Sequence, residues 1–241
     1  MKPEDVAIAY KNALAPGQPF HFHCDQCGKC CKNREDILLN PYDLYRASKT
    51  LGIPAKEFIS RYCIVYIGES SRLPCVLLKP VGEEKACPLL KNNLCQIHKG
   101  KPTVCALYPL GRTTKMQRNE DGSVAPADGF FYFMNNVDCG LRDEEHSVAE
   151  WLAEFNLQES EDWFMEWSNV IGEIAPLIQE LEKVISPKLM ESVFNAVFVG
   201  LYLNYEPFGL FLPQFKANAG KVMKMLGSIK AEIEKHGGAQ K

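Results

Sequence analysis

Four cysteines lie within eight residues near the start of the chain, at Cys24, Cys27, Cys30 and Cys31. A Cys-x-x-Cys step lets two sulfurs converge on one ion when the backbone between them turns tightly, and Gly28 supplies the freedom that such a turn needs. The two steps overlap at Cys27, which is typical of iron–sulfur ligation, whereas a zinc ribbon uses two separate Cys-x-x-Cys steps. The spacing therefore predicts a metal site.

The adjacent pair Cys30-Cys31 limits how that site is built. Neighbouring side chains diverge in most backbone conformations, so one ion held by both sulfurs would be strained. Three interpretations follow: one of the two is not a ligand, the two bind different metals, or both hold a multi-iron cluster.

A second group of thiols follows the spacing Cys87-x7-Cys95-x9-Cys105, and Cys139 stands alone further on. With the first four they make eight candidate ligands, enough for two four-thiolate sites. The complete predicted metal set is Cys24, Cys27, Cys30, Cys31, Cys87, Cys95, Cys105 and Cys139.

The remaining cysteines, Cys63 and Cys75, lie in apolar stretches, and we predict that they are buried small side chains rather than ligands. His21 and His23 are alternative ligands, because imidazole is a common metal partner. We interpret them instead as strand residues that face solvent.

The composition is that of an ordinary soluble globular protein, with 46% hydrophobic and 24% charged residues in 241. A net charge of −3 gives no argument for nucleic acid or an anionic membrane, so we expect neither as a partner. The first five residues include Lys2, Glu4 and Asp5 and have no uninterrupted apolar segment behind them, which predicts no signal peptide and a cytoplasmic location. In a reducing compartment, clustered cysteines are metal ligands rather than disulfides.

Short elements must position these thiols. We predict a helix over residues 3–14 that ends at Pro16-Gly17, and a strand over residues 20–23 that leads into the first cysteines. After a short strand over 37–39, Asn40 caps a helix that ends at Gly52, and Pro54 opens another through residue 62. The apolar and β-branched content of residues 64–79 predicts two strands, which are separated by a turn at residues 68–71.

Two hairpins are predicted next. Asn92-Asn93 joins residues 86–90 to 94–98, and we expect this hairpin to place Cys87 and Cys95 near each other across two strands. Pro102 starts a short helix that carries Cys105. A second hairpin joins 113–118 to 130–134 through residues 121–122 and leads to Cys139.

From Ser147 onward the pattern is helical. Ser147 and Glu150 form a capping box for a helix to residue 155, and an apolar stripe over 163–185 is expected to be kinked or divided by Pro176. A helix opened by Ser186-Pro187 is apolar almost all round, so we expect it in the core. The last helix has a regular apolar stripe, ends at residues 237–238 and has lysines on its other face, which we predict to be solvated: Lys216, Lys221, Lys224 and Lys230.

The chain resembles the Cys-x-x-Cys-x-x-Cys-Cys cluster proteins (YkgJ-type), a family of zinc- or iron-chelating domains. The similarity covers about residues 20–155, and the residues that carry it are Phe22 to Cys31, residues 37–44, Leu51-Gly52, Phe58, Tyr62, residues 87–90 and 95–98, Lys101 to Cys105, Tyr108-Pro109, Cys139-Gly140 and residues 148–152. His98 stands where the family usually has tyrosine, and Lys101 where arginine is usual. The resemblance implies metal binding. A more distant relative, the flagellin lysine-N-methylase, has a similar cysteine motif and an iron–sulfur cluster.

We therefore predict an α+β protein with a cysteine-rich metal-binding domain over residues 1–155 and a helical region over 156–241. The first hypothesis is a [4Fe–4S] cluster, with zinc as the alternative, used in electron transfer or redox sensing. The second is a protein-lysine methyltransferase, against which the chain lacks both a Gly-x-Gly-x-x-Gly run and a Cys-x3-Cys-x2-Cys spacing. The third is a structural zinc module whose C-terminal helices dock a partner protein. The sequence identifies no catalytic residue.

Overall fold

The computed structural model describes residues 3–15, 17–121, 124–157 and 160–237. The helices are α1 (Pro3–Lys11), α2 (Pro41–Leu51), α3 (Ala55–Tyr62), α4 (Thr103–Leu107), α5 (Val148–Glu154), α6 (Ser160–Glu182), α7 (Pro187–Phe198) and α8 (Phe211–Gly237). The strands are β1 (Phe20–His23), β2 (Leu38–Leu39), β3 (Cys63–Ile67), β4 (Pro74–Leu78), β5 (Leu90–Lys91), β6 (Leu94–Cys95), β7 (Leu110–Arg118), β8 (Val124–Met134) and β9 (Leu141–His146). The predicted α+β class is confirmed.

The strands form small antiparallel sheets in the first two thirds of the chain. β2, β4 and β3 make a three-stranded sheet in that order, while β1 pairs with β9, β5 with β6 and β7 with β8. The two strands predicted within residues 64–79 are confirmed, and they pair from Cys63 opposite Leu78 to Ile67 opposite Pro74. The pairing of β1 with β9 joins segments more than a hundred residues apart, next to the first cysteine cluster.

The predicted helix starts follow from side-chain caps. Asn40 accepts a hydrogen bond from the Asp43 backbone N–H, and the Asp43 carboxylate accepts one from the Asn40 N–H, so α2 begins with a capping box. Gly52 ends α2 with a φ of 67°, a left-handed conformation that glycine adopts without steric cost. Ser147 and Glu150 form the same reciprocal pair at the start of α5.

The C-terminal helices pack on the N-terminal part of the chain. Trp163 of α6 is 1% exposed and contacts both Tyr42 of α2 and Phe211 of α8. The buried apolar side chains of the two predicted regions form one contiguous core. The predicted stripe of α8 is confirmed, because Phe215 and Leu226 are fully buried. On the other face Lys216, Lys221 and Lys224 are exposed as predicted, whereas Lys230 is half-buried and donates to Glu180 at 2.6 Å.

A kink or a division is expected at Pro176, and the division is wrong, because helix α6 runs unbroken to Glu182. Ile174 and Ile178 on either side of the proline are fully buried, and this burial holds the helix together where one backbone hydrogen bond is lost. Helix α7 is amphipathic rather than buried all round: Val193 and Val197 face the core, whereas Leu189 is 48% exposed.

Other differences concern element bounds. Helix α1 ends at Lys11 rather than residue 14. Strand β9 was not predicted, because its sequence from Leu141 to His146 is mostly charged and exposed and lacks the apolar alternation of a half-buried strand. The predicted turn residues Pro16, Gly122 and Gly238 lie outside the described residues.

None of the described helices is both long enough and apolar enough to cross a bilayer.

Candidate metal centre

One cavity of about 370 Å³ brings the predicted cysteines together. The cysteines on its wall come from four separate chain segments: the loop after β1, the region around β5 and β6, helix α4, and the residues before β9. All eight cysteines proposed as ligands lie on this wall: Cys24, Cys27, Cys30, Cys31, Cys87, Cys95, Cys105 and Cys139. Cys63 and Cys75 are not among the lining residues.

The first segment turns tightly after β1. Gly28 has a φ of 74°, and Lys29–Cys31 then form a single 3-10 turn in which the Cys31 N–H donates to the Gly28 carbonyl at 3.0 Å. A side chain at position 28 would press on the Asn93 side chain, so the glycine also allows the loop to approach the β5–β6 turn. In this turn the sulfurs of Cys30 and Cys31 lie 3.9 Å apart, so the adjacent pair points to the same side.

The second segment reaches the cavity through a hairpin. Asn92 and Asn93 both have positive φ, which is the geometry of a tight two-residue hairpin turn. Cys87 and Cys95 lie near each other on the cavity wall, as predicted, but Cys87 is not a strand residue and the strand partner of Cys95 is Leu90. Cys87 instead lies before the strand, where its backbone N–H donates to the Cys31 carbonyl at 2.8 Å and fixes it beside the first segment.

The third segment, α4, places Cys105 on the wall. Thr103 starts this helix, and its backbone N–H and hydroxyl both donate to the buried Asp43 carboxylate at 2.6 Å. At the other end, the Trp151 indole N–H donates to the carbonyls of Ala106 and Leu107 at 3.0 and 3.1 Å. Both ends of this short helix are therefore anchored to other helices.

The fourth segment carries Cys139 and Gly140 and continues into β9. Gly140 has a φ of 73°, and a side chain there would overlap the Phe22 ring and the His23 carbonyl. Glycine is therefore required for this segment to lie against β1. The Tyr108 hydroxyl lies 3.0 Å from the Cys139 sulfur.

The environment of the thiols favours their neutral form. Interaction with Cys31 raises the pKa of Cys30, and burial raises it further. Burial is the main reason why the pKa values of Cys87, Cys95, Cys105 and Cys139 are also raised. Because metals bind the thiolate, loading this cavity must release protons.

Two cations on the cavity wall oppose this effect. Arg34 lowers the pKa of Cys30, Cys87 and Cys105, and Lys101 lowers that of Cys30 and Cys95. The Arg34 guanidinium is held by Asp36 at 2.6 and 3.2 Å. These charges compensate part of the negative charge that several thiolates would bring into the cavity.

Sequence reasoning did not identify Arg34 as a site residue, and it noted Lys101 only as a departure from the family pattern. The position of Arg34, three residues after Cys31, could have identified it as a residue near the metal site. Tyr108, His98 and Trp151 also line the cavity, and each was noted only as part of the family resemblance.

The histidines of β1 face away from the cavity, as predicted. His21 lies 3.4 Å from the Glu145 carboxylate, and His23 lies 3.3 Å from that of Glu144; both acids belong to β9. Neither histidine lines the cavity. The prediction for Cys63 and Cys75 also agrees with the structure: both are partly buried, and burial raises the pKa of Cys63 to about 12.

The donor set suits a soft metal. Thiolates bind zinc and iron–sulfur clusters. Eight cysteines that could become thiolates line the cavity, twice the number that one zinc ion takes. The volume is about twelve times the roughly 30 Å³ that one water molecule occupies in the liquid, so it has room for more than a single ion. Within the described ranges, no three histidine, cysteine, aspartate or glutamate side chains converge on a single-ion position.

Comparisons with known proteins agree with this donor chemistry. Residues 23–124 match the family CxxCxxCC, whose description reads "Putative zinc- or iron-chelating domain". An uncharacterized protein of Methanocaldococcus jannaschii is 32% identical over 103 residues, which are 42% of this chain and 47% of the relative. The chain thus spans about half the length of that curated relative. No solved structure matches the chain.

The family match covers the first three cavity segments and ends before Cys139 and α5, which the predicted similarity had included. Over residues 23–124 the chain is similar to the CxxCxxCC family, and the resemblance inferred from its cysteine spacing is confirmed there.

Proposed function

We propose that this protein holds an iron–sulfur cluster in the thiol-lined cavity and uses it for electron transfer or redox sensing. The observation that carries the proposal is the meeting of eight thiols from four chain segments around about 370 Å³. The proposed ligands are drawn from Cys24, Cys27, Cys30, Cys31, Cys87, Cys95, Cys105 and Cys139.

The overlapping Cys-x-x-Cys steps support iron–sulfur over zinc. Three closely spaced cysteines and a remote fourth are the usual ligands of a cubane cluster, and Cys24, Cys27 and Cys30 have that spacing. Cys87, Cys95, Cys105 and Cys139 are the remote candidates. A negative charge on Cys30 raises the pKa of Cys87, Cys95 and Cys139, and a negative charge on Cys87 raises that of Cys105. When bound, such a cluster supplies one-electron transfer.

The other wall residues have roles that follow from their positions. Arg34 and Lys101 stabilise thiolates by charge, as described above. Trp151, Phe155 and Phe22 form an apolar part of the wall. A protein sets the reduction potential of an iron–sulfur cluster through the solvent exposure of the site and through hydrogen bonds to the sulfurs.

Anaerobic purification followed by elemental analysis tests the proposal. We expect brown protein that contains iron and sulfide and has broad visible absorbance bleached by dithionite. In Cys30→Ser we expect iron affinity to fall by about 100-fold or more, because a central thiol of the cavity is removed; loss of a residue that only hydrogen-bonds to a ligand typically costs about 10- to 100-fold. Iron content by mass spectrometry after desalting measures this.

Cys63→Ser is the matched control, since Cys63 is a partly buried cysteine outside the cavity. Its iron content is expected to equal that of the wild type. Wild-type protein free of iron and zinc after anaerobic purification, or equal iron loss in both variants, would contradict the proposal.

Zinc is the second candidate, and one distance favours it. In a tetrahedral zinc site with Zn–S bonds of 2.3 Å, the sulfurs lie about 3.8 Å apart. The sulfurs of Cys30 and Cys31 are 3.9 Å apart, which matches one edge of such a site. Colourless protein with stoichiometric zinc would select this alternative.

A further inference from the structure

We infer that Tyr108 is a positioning residue of the metal site, which donates a hydrogen bond to Cys139 as a thiolate ligand and thereby raises the reduction potential of the cluster. This inference rests on the proposed function and adds a role for a residue outside the thiol set. It begins from the distance of 3.0 Å between the Tyr108 hydroxyl oxygen and the Cys139 sulfur.

The position of the Tyr108 ring is set by its surroundings. Tyr108 directly follows α4, whose last carbonyls accept hydrogen bonds from the Trp151 indole. Its ring packs edge-on against Phe22, with the centroids 5.9 Å apart and an interplanar angle of 80°. The Trp151 hydrogen bonds thus fix the helix end from which Tyr108 follows, and Phe22 packs against the ring whose hydroxyl lies beside Cys139.

Cys139 is held equally well on its side. Its backbone carbonyl accepts from the Arg142 guanidinium at 3.5 Å, and Lys29 donates to the carbonyl of the preceding Asp138 at 3.3 Å. The next residue is Gly140, whose close contact with Phe22 was described above. Phe22 therefore contacts both the donor residue and the segment that carries the acceptor.

The direction of the hydrogen bond follows from ordinary acidity. A tyrosine hydroxyl has a pKa of about 10, so it keeps its proton at neutral pH, and a metal-bound cysteine is a thiolate that only accepts. Reduction adds negative charge to the cluster and its sulfurs. A hydrogen bond to a ligand sulfur therefore stabilises the reduced state more than the oxidised state and raises the potential.

The test is Tyr108→Phe, which removes one oxygen and keeps the ring. We expect iron content and the visible spectrum of the oxidised protein to be retained. The midpoint potential is expected to fall, with the equilibrium constant for reduction lowered about tenfold, or about 59 mV for a one-electron couple. A redox titration under anaerobic conditions measures it.

Tyr66→Phe is the control, since Tyr66 lies on β3, is 42% exposed and does not line the cavity. Its midpoint potential should equal that of the wild type. A fully loaded Tyr108→Phe protein with the wild-type potential would overturn the inference while the proposed function stands. Wild-type protein that binds no metal would remove both.

A second measurement uses the wild-type chain and does not depend on the folding of a variant. Incorporation of 3-fluorotyrosine makes each phenol a stronger donor, so the potential is expected to rise; an unchanged potential overturns the inference. If the purified protein holds zinc instead of iron, there is no cluster potential to measure. The zinc is then exchanged for cobalt, and the thiolate-to-cobalt absorption band is measured instead. That band is expected to shift in Tyr108→Phe, and an unchanged band overturns the inference.

Discussion

Asp43 is a buried carboxylate, 2% exposed, that caps two helices at once. One of its oxygens accepts from the backbone N–H and the hydroxyl of Thr103 at the start of α4, and the other accepts from the Asn40 N–H at the start of α2. Burial raises the pKa of this carboxyl, and the hydrogen bonds from Thr103 and Asn40 oppose that shift. Asp43, which is far from Cys105 in the sequence, thus sets where the helix that carries Cys105 begins.

Replacing Asp43 with alanine is therefore expected to affect stability and the metal site together. Three donors lose their acceptor, and because a buried unsatisfied donor costs about 1–3 kcal/mol, we expect a loss of about 2–5 kcal/mol in the free energy of unfolding. Urea denaturation measures the loss, and metal per chain after desalting measures the effect on the site.

The control for this change lies on the same helix. The Ser48 hydroxyl is buried and donates to the Leu44 carbonyl at 2.6 Å, within one turn. Ser48→Ala is expected to cost less than about 1 kcal/mol, because that carbonyl is a helical backbone acceptor. A similar cost for both variants would show that Asp43 has no special role.

At the scale of elements, the helical region is tied to the sheet by a bidentate ion pair. Arg72, in the turn between β3 and β4, donates through Nε to Glu182 Oε2 at 2.8 Å and through Nη2 to Oε1 at 2.6 Å. Glu182 is the last residue of α6. The hydrogen bonds from Arg72 hold the pKa of the Glu182 carboxyl below its ordinary value.

This ion pair predicts a pH dependence. Because the folded-state pKa of Glu182 is lowered, its contribution to stability is present above the ordinary glutamate pKa of about 4.3 and is lost as the pH falls through the lowered value. Glu182→Gln is expected to lower stability by about 1 kcal/mol at pH 7, since the pair is partly exposed to solvent, and to match the wild type in acid. Thermal unfolding across this pH range checks it.

The control is Glu173→Gln, since Glu173 is an exposed residue of the same helix. It should change stability by less than about 0.5 kcal/mol at either pH. A loss of stability in Glu182→Gln that is the same at neutral and acidic pH would contradict an ionic contribution.

At the scale of the whole molecule, the helical region shares its core with the metal-binding part. Trp163 packs edge-on against Phe215, with the centroids 4.4 Å apart, and it also contacts Phe211 and Tyr42. Tyr45 of α2 donates through its hydroxyl to the Gly209 carbonyl just before α8, at 2.8 Å. The division into two domains at residue 155 stays a prediction. A variant that removes one of these contacts tests whether the two regions unfold separately.

Trp163→Ala is expected to destabilise the chain by about 3–5 kcal/mol, because a large, fully buried side chain is removed. If the two predicted regions unfold together, denaturation followed by circular dichroism and by visible absorbance of the metal site will shift by the same amount. Phe208→Ala, at a side chain that is 97% exposed, serves as the control and should leave the midpoint unchanged. A shift in one signal only would indicate that the regions unfold separately.

Features that depend on neighbouring residues could be predicted from the sequence. The capping box of α2, its end at Gly52 and the tight turn at Asn92-Asn93 follow from local hydrogen bonding and backbone freedom. The apolar stripe of α8 follows from the helical repeat. The cysteine spacing and the apolar surroundings of Cys63 and Cys75 also separated the eight cavity thiols from these two. That these eight are ligands stays a prediction.

Only the tertiary structure decided how the separated segments meet. The pairing of β1 with the charged strand β9, the contact of Tyr108 with Cys139, and the place of Arg34 on the cavity wall each depend on long-range packing. A repeating pattern of apolar residues does not predict such contacts. They form between segments far apart in the chain, and the secondary-structure preferences of one segment do not depend on those of the other. The sequence by itself thus determined which thiols are available for a metal, and the fold decided that they surround one cavity and which charges and hydrogen bonds accompany them.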